Sequence, residues 1–249
     1  MLFKIRIMEN TRNTNIDKLD YGTVAGTNTL LRSVFLWMTL ALTVTTISSL
    51  MFYFIPSLSL LLFTETEVGV KLSVFAWVVM LAPIGFVFLM SFAFNKLSYP
   101  TLIAAFIAYA TINGISLSFI FMIYELGSIF NVFLSSVALF AIMAIAGYTT
   151  KTDLTKLGSL LFIGLIGIVI ASLINLFMRS DTMSYVCSIL GVIIFTGLTA
   201  YDVQKIKNMS TQSDGSVMFK KLSIMGALTL YLDFINIFLY LLRLFGGRK

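Results

Sequence analysis

The chain has 249 residues, 59% of them hydrophobic and 11% charged, with a mean hydropathy of +0.98 and a formal net charge of +6. Soluble domains hold about 45–50% apolar and about 25% charged residues, so a water-soluble fold is excluded: no core of this size could take the excess apolar surface. The absence of His and the single Cys, Cys187, exclude an intramolecular disulfide, His-ligated metal sites and Ser-His-Asp or Cys-His nucleophiles.

Residues 1–32 are polar and mixed in charge, without the basic, apolar and small-residue order of a cleavable signal. They read as a cytosolic tail preceding a single transmembrane domain, 33–249. A spanning helix needs about 17–25 predominantly apolar residues, because lipid offers no partner for backbone N–H and C=O groups. Seven stretches qualify: Ser33–Ile55, Leu72–Phe94, Thr101–Tyr124, Phe130–Tyr148, Gly158–Met178, Ser184–Ile206 and Leu222–Leu242. The polar connections are PSLSLLLFTETEVGVK and KNMSTQSDGSVMFKK. Within the spans, Pro83 is expected to kink the second helix. Asn113, Gly114, Ser116 and Ser118 of the third, and Gly158, Gly164 and Gly167 of the fifth, suit close helix packing.

With the N-terminus inside, twelve Lys and Arg residues fall on the inner side and five on the outer. Positive charge collects on the cytosolic face of membrane proteins, so this favours N-inside. Arg243, Arg248 and Lys249 oppose the bias, which leaves open a seventh segment that enters and returns. The net charge follows from this asymmetry and contact with lipid headgroups, not from a nucleic-acid surface.

Of the eleven acidic residues, Glu9, Asp17, Asp20, Glu65, Glu67, Asp153 and Asp214 lie in tails or connections, and Asp181 and Glu125 at helix ends. Asp202, in GLTAYDVQKIKN, and Asp233, in LTLYLDFINIFLYLL, lie within spans. A charge at mid-bilayer costs about 2.5–3.5 kcal/mol on insertion scales, so such a residue faces a cavity, pairs, or holds a proton. The sixth and seventh helices are consecutive and antiparallel. The expected boundaries put Asp202 about 6 Å and Asp233 about 16 Å from the inner ends. Tilt, or a later start of the seventh helix, would close the mismatch of about 10 Å. Paired, the carboxyls can share a proton and close the bundle; deprotonated, they repel and offer oxygens to Ca²⁺. Alternatively, Asp202 pairs with Lys205 or Lys207, and a protonated Asp233 hydrogen-bonds to Asn113, Asn175 or Asn236. Tyr201, Asn236, Asn113 and Lys96 are the candidate supporting side chains.

GLTAYDVQKIK followed by LYLDFINIFLYLLRLFG resembles the Bax inhibitor-1 family, and the resemblance extends over about residues 30–247. It implies an all-α integral membrane protein of seven helices, the last one central and surrounded by the other six. It also implies a pH-sensitive calcium leak governed by a carboxylate pair, here Asp202 and Asp233, with no enzymatic activity and no cofactor beyond the ion itself. Bacterial members of the family latch the sixth-helix Asp with a basic side chain from the second helix. Leu72–Phe94 contains no Lys or Arg, and Lys96 lies just past its end. Bacterial relatives that engage a membrane protease suggest a regulatory, partner-binding alternative with a structural Asp pair. A third reading is an intramembrane aspartyl protease, for which AYD fits one half. LYLD lacks the glycines of the other half, and no Pro-Ala-Leu signature follows.

Overall fold

The computed structural model describes residues 30–66, 69–210 and 216–249. Most of the expected N-terminal tail lies outside this range. All seven expected spans are helical. The helix α1 is Leu30–Phe54, so Leu30, Leu31 and Arg32 belong to the first span. After it come the single turn α2, Pro56–Ser59, a 3-10 turn, Leu60–Leu62, and the antiparallel strands β1, Phe63–Thr66, and β2, Gly69–Leu72. The helices α3, Val74–Phe92, and α4, Tyr99–Leu117, follow, and the turn α5, Ile120–Ile123, completes the third span. The remaining spans are α6, Leu126–Thr149, α7, Thr155–Met178, α8, Asp181–Ser210, and α9, Val217–Phe245.

The β1–β2 hairpin corrects the reading of this stretch as a plain connection and of Leu72 as helical. Phe63, Thr64, Thr66 and Val70 are good strand residues, and Ser73 ends the strand with extended backbone. Its hydroxyl then accepts from Ala76 N at 3.1 Å, capping α3. Ser98 does the same for α4, accepting from Thr101 N at 3.3 Å with Pro100 in the first turn. Pro83 lies inside α3, which is helical from Val74 to Phe92 on both sides of it.

One end of the bundle, here called basal, gathers the α3–α4, α6–α7 and α8–α9 connections. The opposite, distal end holds the hairpin, the α7–α8 turn and the C-terminus. The tail is tied there: Glu125 N donates to Gly247 O at 2.9 Å, Lys249 N to Ile123 O at 3.0 Å, and Lys249 Nζ to Phe121 O at 2.7 Å. The seventh segment therefore crosses completely and does not return.

Within its most apolar window α9 is 67% buried inside the protein, against 6% for α7 and at most 39% for any other span. It is the central helix. α4, α6 and α8 pack on it directly, as does α1 through Val34 against Gly226 and Thr45 against Tyr231. α7 shares crevices with it, and at the basal end of α3 the Phe94 ring lies 4.9 Å from Lys221 Nζ. Phe234 sits edge-on between Phe133 and Phe140, with centroids at 5.6 and 5.7 Å. In lipid, helices gain little from apolar contact alone, so close approach at small residues holds such a bundle together. Gly147 of α6 lies against the backbone of Ala200 in α8, and Gly114 of α4 against that of Thr45 in α1. Of the α7 glycines, Gly158 packs under the Tyr201 ring and Gly164 against Ile194, while Gly167 has open space around it.

Candidate functional site

The register of α8 against α9 builds the site. Gly226 of α9 faces Ile206 of α8, and Gly191 of α8 faces Tyr240 of α9. Asp202 is therefore level with Leu230, about 4.5 Å of axial rise from Asp233. The expected mismatch of about 10 Å came from treating Leu222 and Ile206 as level. Instead α9 starts at Val217 and Leu222 lies about 6 Å further toward the basal side than Ile206. Side chains on a helix lean toward its N-terminus. Because α8 and α9 run in opposite directions, Asp202 and Asp233 lean toward each other across the remaining turn. Their carboxyls come within interaction range of each other in the middle of the seam.

The pair is asymmetric. Asp233 is 4% exposed, whereas Asp202 is half-buried and lies within electrostatic reach of Lys205, one turn later on α8. Two carboxylates this close, one of them buried, cannot both be charged without strong repulsion. Among the described residues, the buried side-chain polar atoms without a hydrogen-bond partner are Asp233 Oδ2 and Thr196 Oγ1. Buried polar groups are nearly always satisfied, so each exception calls for a physical explanation.

The other candidates divide. Tyr201 and Asn236 line the same crevice as the pair, together with Lys205 and Thr229. Asn236 Nδ2 donates to Leu232 O of its own helix at 2.8 Å, Asn175 Oδ1 accepts from Ser180 N at 2.9 Å, and Asn113 Nδ2 donates to Tyr231 Oη at 2.8 Å. None of these contacts serves Asp233. Lys96 is exposed in the α3–α4 turn, so the cation bearing on Asp202 is Lys205 and not Lys96.

Away from the pair, Tyr231 forms a second polar cluster on α9. Its hydroxyl is 2.7 Å from Thr45 Oγ1, which bonds Ala110 O at 2.9 Å, so the cluster ties α9 to α1 and α4. Interhelical hydrogen bonds in membranes average about 0.6 kcal/mol and reach about 1.7. Tyr231→Phe is thus expected to cost about 1 kcal/mol, read as a lower thermal midpoint in detergent with the ultraviolet circular dichroism of the native helices retained.

Three crevices lie along α8, the basal one between α7 and α8 and the other two bordered by α9 as well. The basal one, about 260 Å³, is lined by Thr155, Tyr201, Gln204, Lys205, Asn208 and Met209. The middle one, about 850 Å³, holds the acid pair. The distal one, about 600 Å³, is lined by Arg179 and Arg243 among others. Tyr201 and Lys205 line both the basal and middle crevices, and Asn236 both the middle and distal ones. Gln204 fixes the basal mouth: its amide accepts from Leu154 N at 2.9 Å and donates to Thr152 O at 2.8 Å. Its position, two residues after Asp202 near the end of an apolar helix, was its one sequence signal.

Fold and site together define a polytopic helical membrane protein with a carboxyl pair buried between its last two helices. Residues 27–249 match the model of the family described as inhibitor of apoptosis-promoting Bax1, and the chain belongs to this Bax inhibitor family. It is similar to the inner membrane protein YbhL of Escherichia coli (strain K12), with 41% identity over 227 residues, covering 90% of this chain and 94% of that protein. A Borreliella burgdorferi protein is 51% identical over 166 residues, 66% of this chain and 72% of the relative. A Rickettsia prowazekii protein is 43% identical over 175 residues, 70% and 74% of the two chains.

Proposed function

We propose that the chain is a pH-sensitive cation leak, conducting Ca²⁺, in a bacterial inner membrane, with the segment before Leu30 as a cytosolic tail and the basal end facing the cytosol. The observation that carries this reading is the contact of Asp202 with Asp233 in the middle of the crevices along the α7–α8–α9 seam. When the two carboxyls share a proton they hold α8 to α9. When the proton leaves, mutual repulsion loosens the seam and the oxygens become ligands for a hard cation. Resident Ca²⁺ takes about 6–8 oxygens, and among the described residues no group of three or more His, Cys, Asp or Glu converges. That favours transit over storage. Lys205 supplies the positive charge beside Asp202 that the family draws from the second helix. The assignment carries no enzymatic activity.

Calcium flux into liposomes containing the purified protein, followed across pH 5–8, tests the proposal. Flux is expected to rise with pH, by about tenfold per unit on the acid side of the pair's titration, and Asp233→Asn is expected to flatten the profile. A wild-type profile already flat, or one unmoved by the substitution, would overturn it. The pair would then be structural, with the function lying in binding a membrane partner such as a protease. Cleavage of a helical substrate that disappears with Asp233→Asn would instead establish the aspartyl-protease reading.

A further inference from the structure

The distal crevice carries an electrostatic character that the acid pair does not explain. Arg179 ends α7, Arg243 lies in the last turn of α9, and both line the same space of about 600 Å³ with Ser172, Asn175, Ser184 and Tyr240. No acidic side chain is among its lining residues. Asn175 has already committed its carbonyl oxygen to Ser180 N, which leaves its amide nitrogen as the group it can offer. Arg243 is held with its guanidinium carbon 5.8 Å from the centre of the Tyr240 ring. The result is a recess rich in donors and carrying two positive charges, placed at the distal ends of α7 and α9.

Arg179 stands in a backbone position that ordinarily belongs to glycine. Its φ is 52°, the only positive φ at a non-glycine residue among the described residues. A left-handed residue after a helix C-terminus is usually Gly, because a Cβ there is strained. Retaining an arginine at that cost marks its guanidinium as useful.

We propose that this recess binds a phosphate group, the two guanidiniums gripping its oxygens and the hydroxyl and amide groups completing the contacts. Guanidinium matches phosphate in a bidentate fork, and basic pockets between spanning helices recognise anionic headgroups. The phosphate can belong to an anionic lipid such as phosphatidylglycerol or be free in solution. This site stands independently of the leak mechanism.

Thermal unfolding of the full chain in a zwitterionic detergent, titrated separately with short-chain phosphatidylglycerol, short-chain phosphatidylcholine and inorganic phosphate, tests it. Phosphatidylglycerol is expected to raise the midpoint saturably and phosphatidylcholine, whose phosphate is neutralised by its own choline cation, to leave it unchanged; an equal rise with phosphatidylcholine would overturn the proposal. An equal response to inorganic phosphate would support the site and assign it to the free ion; a response to phosphatidylglycerol alone would support it and assign it to the headgroup. Arg179→Gly is the informative variant, because it relieves the left-handed strain while removing the charge. Its midpoint without ligand should match or exceed that of the wild type, while its apparent affinity for the ligand falls at least about tenfold, the scale of one lost charge-assisted hydrogen bond. Arg243→Gln should weaken binding by a similar factor. A wild type that responds to neither phosphate source would overturn the proposal, as would an undiminished response in the Arg179→Gly/Arg243→Gln double variant.

Discussion

The Asp202→Asn/Asp233→Asn double variant is expected to show the same flat pH profile of calcium flux as Asp233→Asn alone. The reason is geometric. The carboxyls lean toward each other across one helical turn at the α8–α9 seam, and in the proposed mechanism they act through one shared proton. Removing either carboxyl abolishes the repulsion between the two, so the second substitution has little left to change. Groups acting as a unit give strongly non-additive substitutions, and a double-mutant cycle isolates this coupling. Asn keeps the size of Asp, so all three variants should fold, with helical content and elution volume as controls. Effects of the two single changes that simply add, each taking its own share of a wild-type profile, would show two independent sites.

The second large effect is mechanical. Gly147→Ala would drive a methyl into the backbone carbonyl of Ala200, two residues before Asp202. A flexible side chain could yield to such a group, but a helix backbone moves only as a whole. Overpacking costs about 1–3 kcal/mol and sometimes more, and this contact belongs at the upper end. The variant is expected to lose most of its folded yield in detergent and, where it folds, to displace α8 from α9 and weaken pH-dependent flux. Gly85→Ala supplies the contrast. Gly85 lies in α3 with open space where the alanine methyl would sit, so there alanine should be neutral or stabilise by up to about 1 kcal/mol through its helix propensity. Equal behaviour of the two variants would refute the close-packing account.

The seven spans were legible because lipid leaves a chain few options: long apolar helices are the segments that satisfy their own backbone. Asp202 and Asp233 stood out for the same reason, as acids within segments that otherwise avoid charge. Their contact was not legible, since it depends on the register of Gly226 with Ile206 and Gly191 with Tyr240, which close packing sets and periodicity does not. The β1–β2 hairpin was missed because four-residue strands beside an apolar helix carry too short an alternation to be separated from it. Lys96 looked like a candidate because it is near the second span in sequence; Lys205 is the nearer charge because it shares a helix with Asp202. Arg179 and Arg243 lie far apart in the chain and each reads alone as an ordinary interface residue. Only the placement of the distal ends of α7 and α9 on either side of α8 turns them into one recess.

The tethered C-terminus has a consequence for how the seam can part. Lys249 and Gly247 moor the distal end of α9 to Ile123, Phe121 and Ser128, and Tyr231 holds its middle to Thr45 and Asn113. The helix carrying Asp233 is thus a mast stepped and stayed on the side away from α7, unable to slide along its axis without losing these moorings together. α7, with 6% of its apolar window buried, is held chiefly through its packing on α8. Separation at the acid pair should therefore proceed sideways, with the outer staves swinging from a stationary mast.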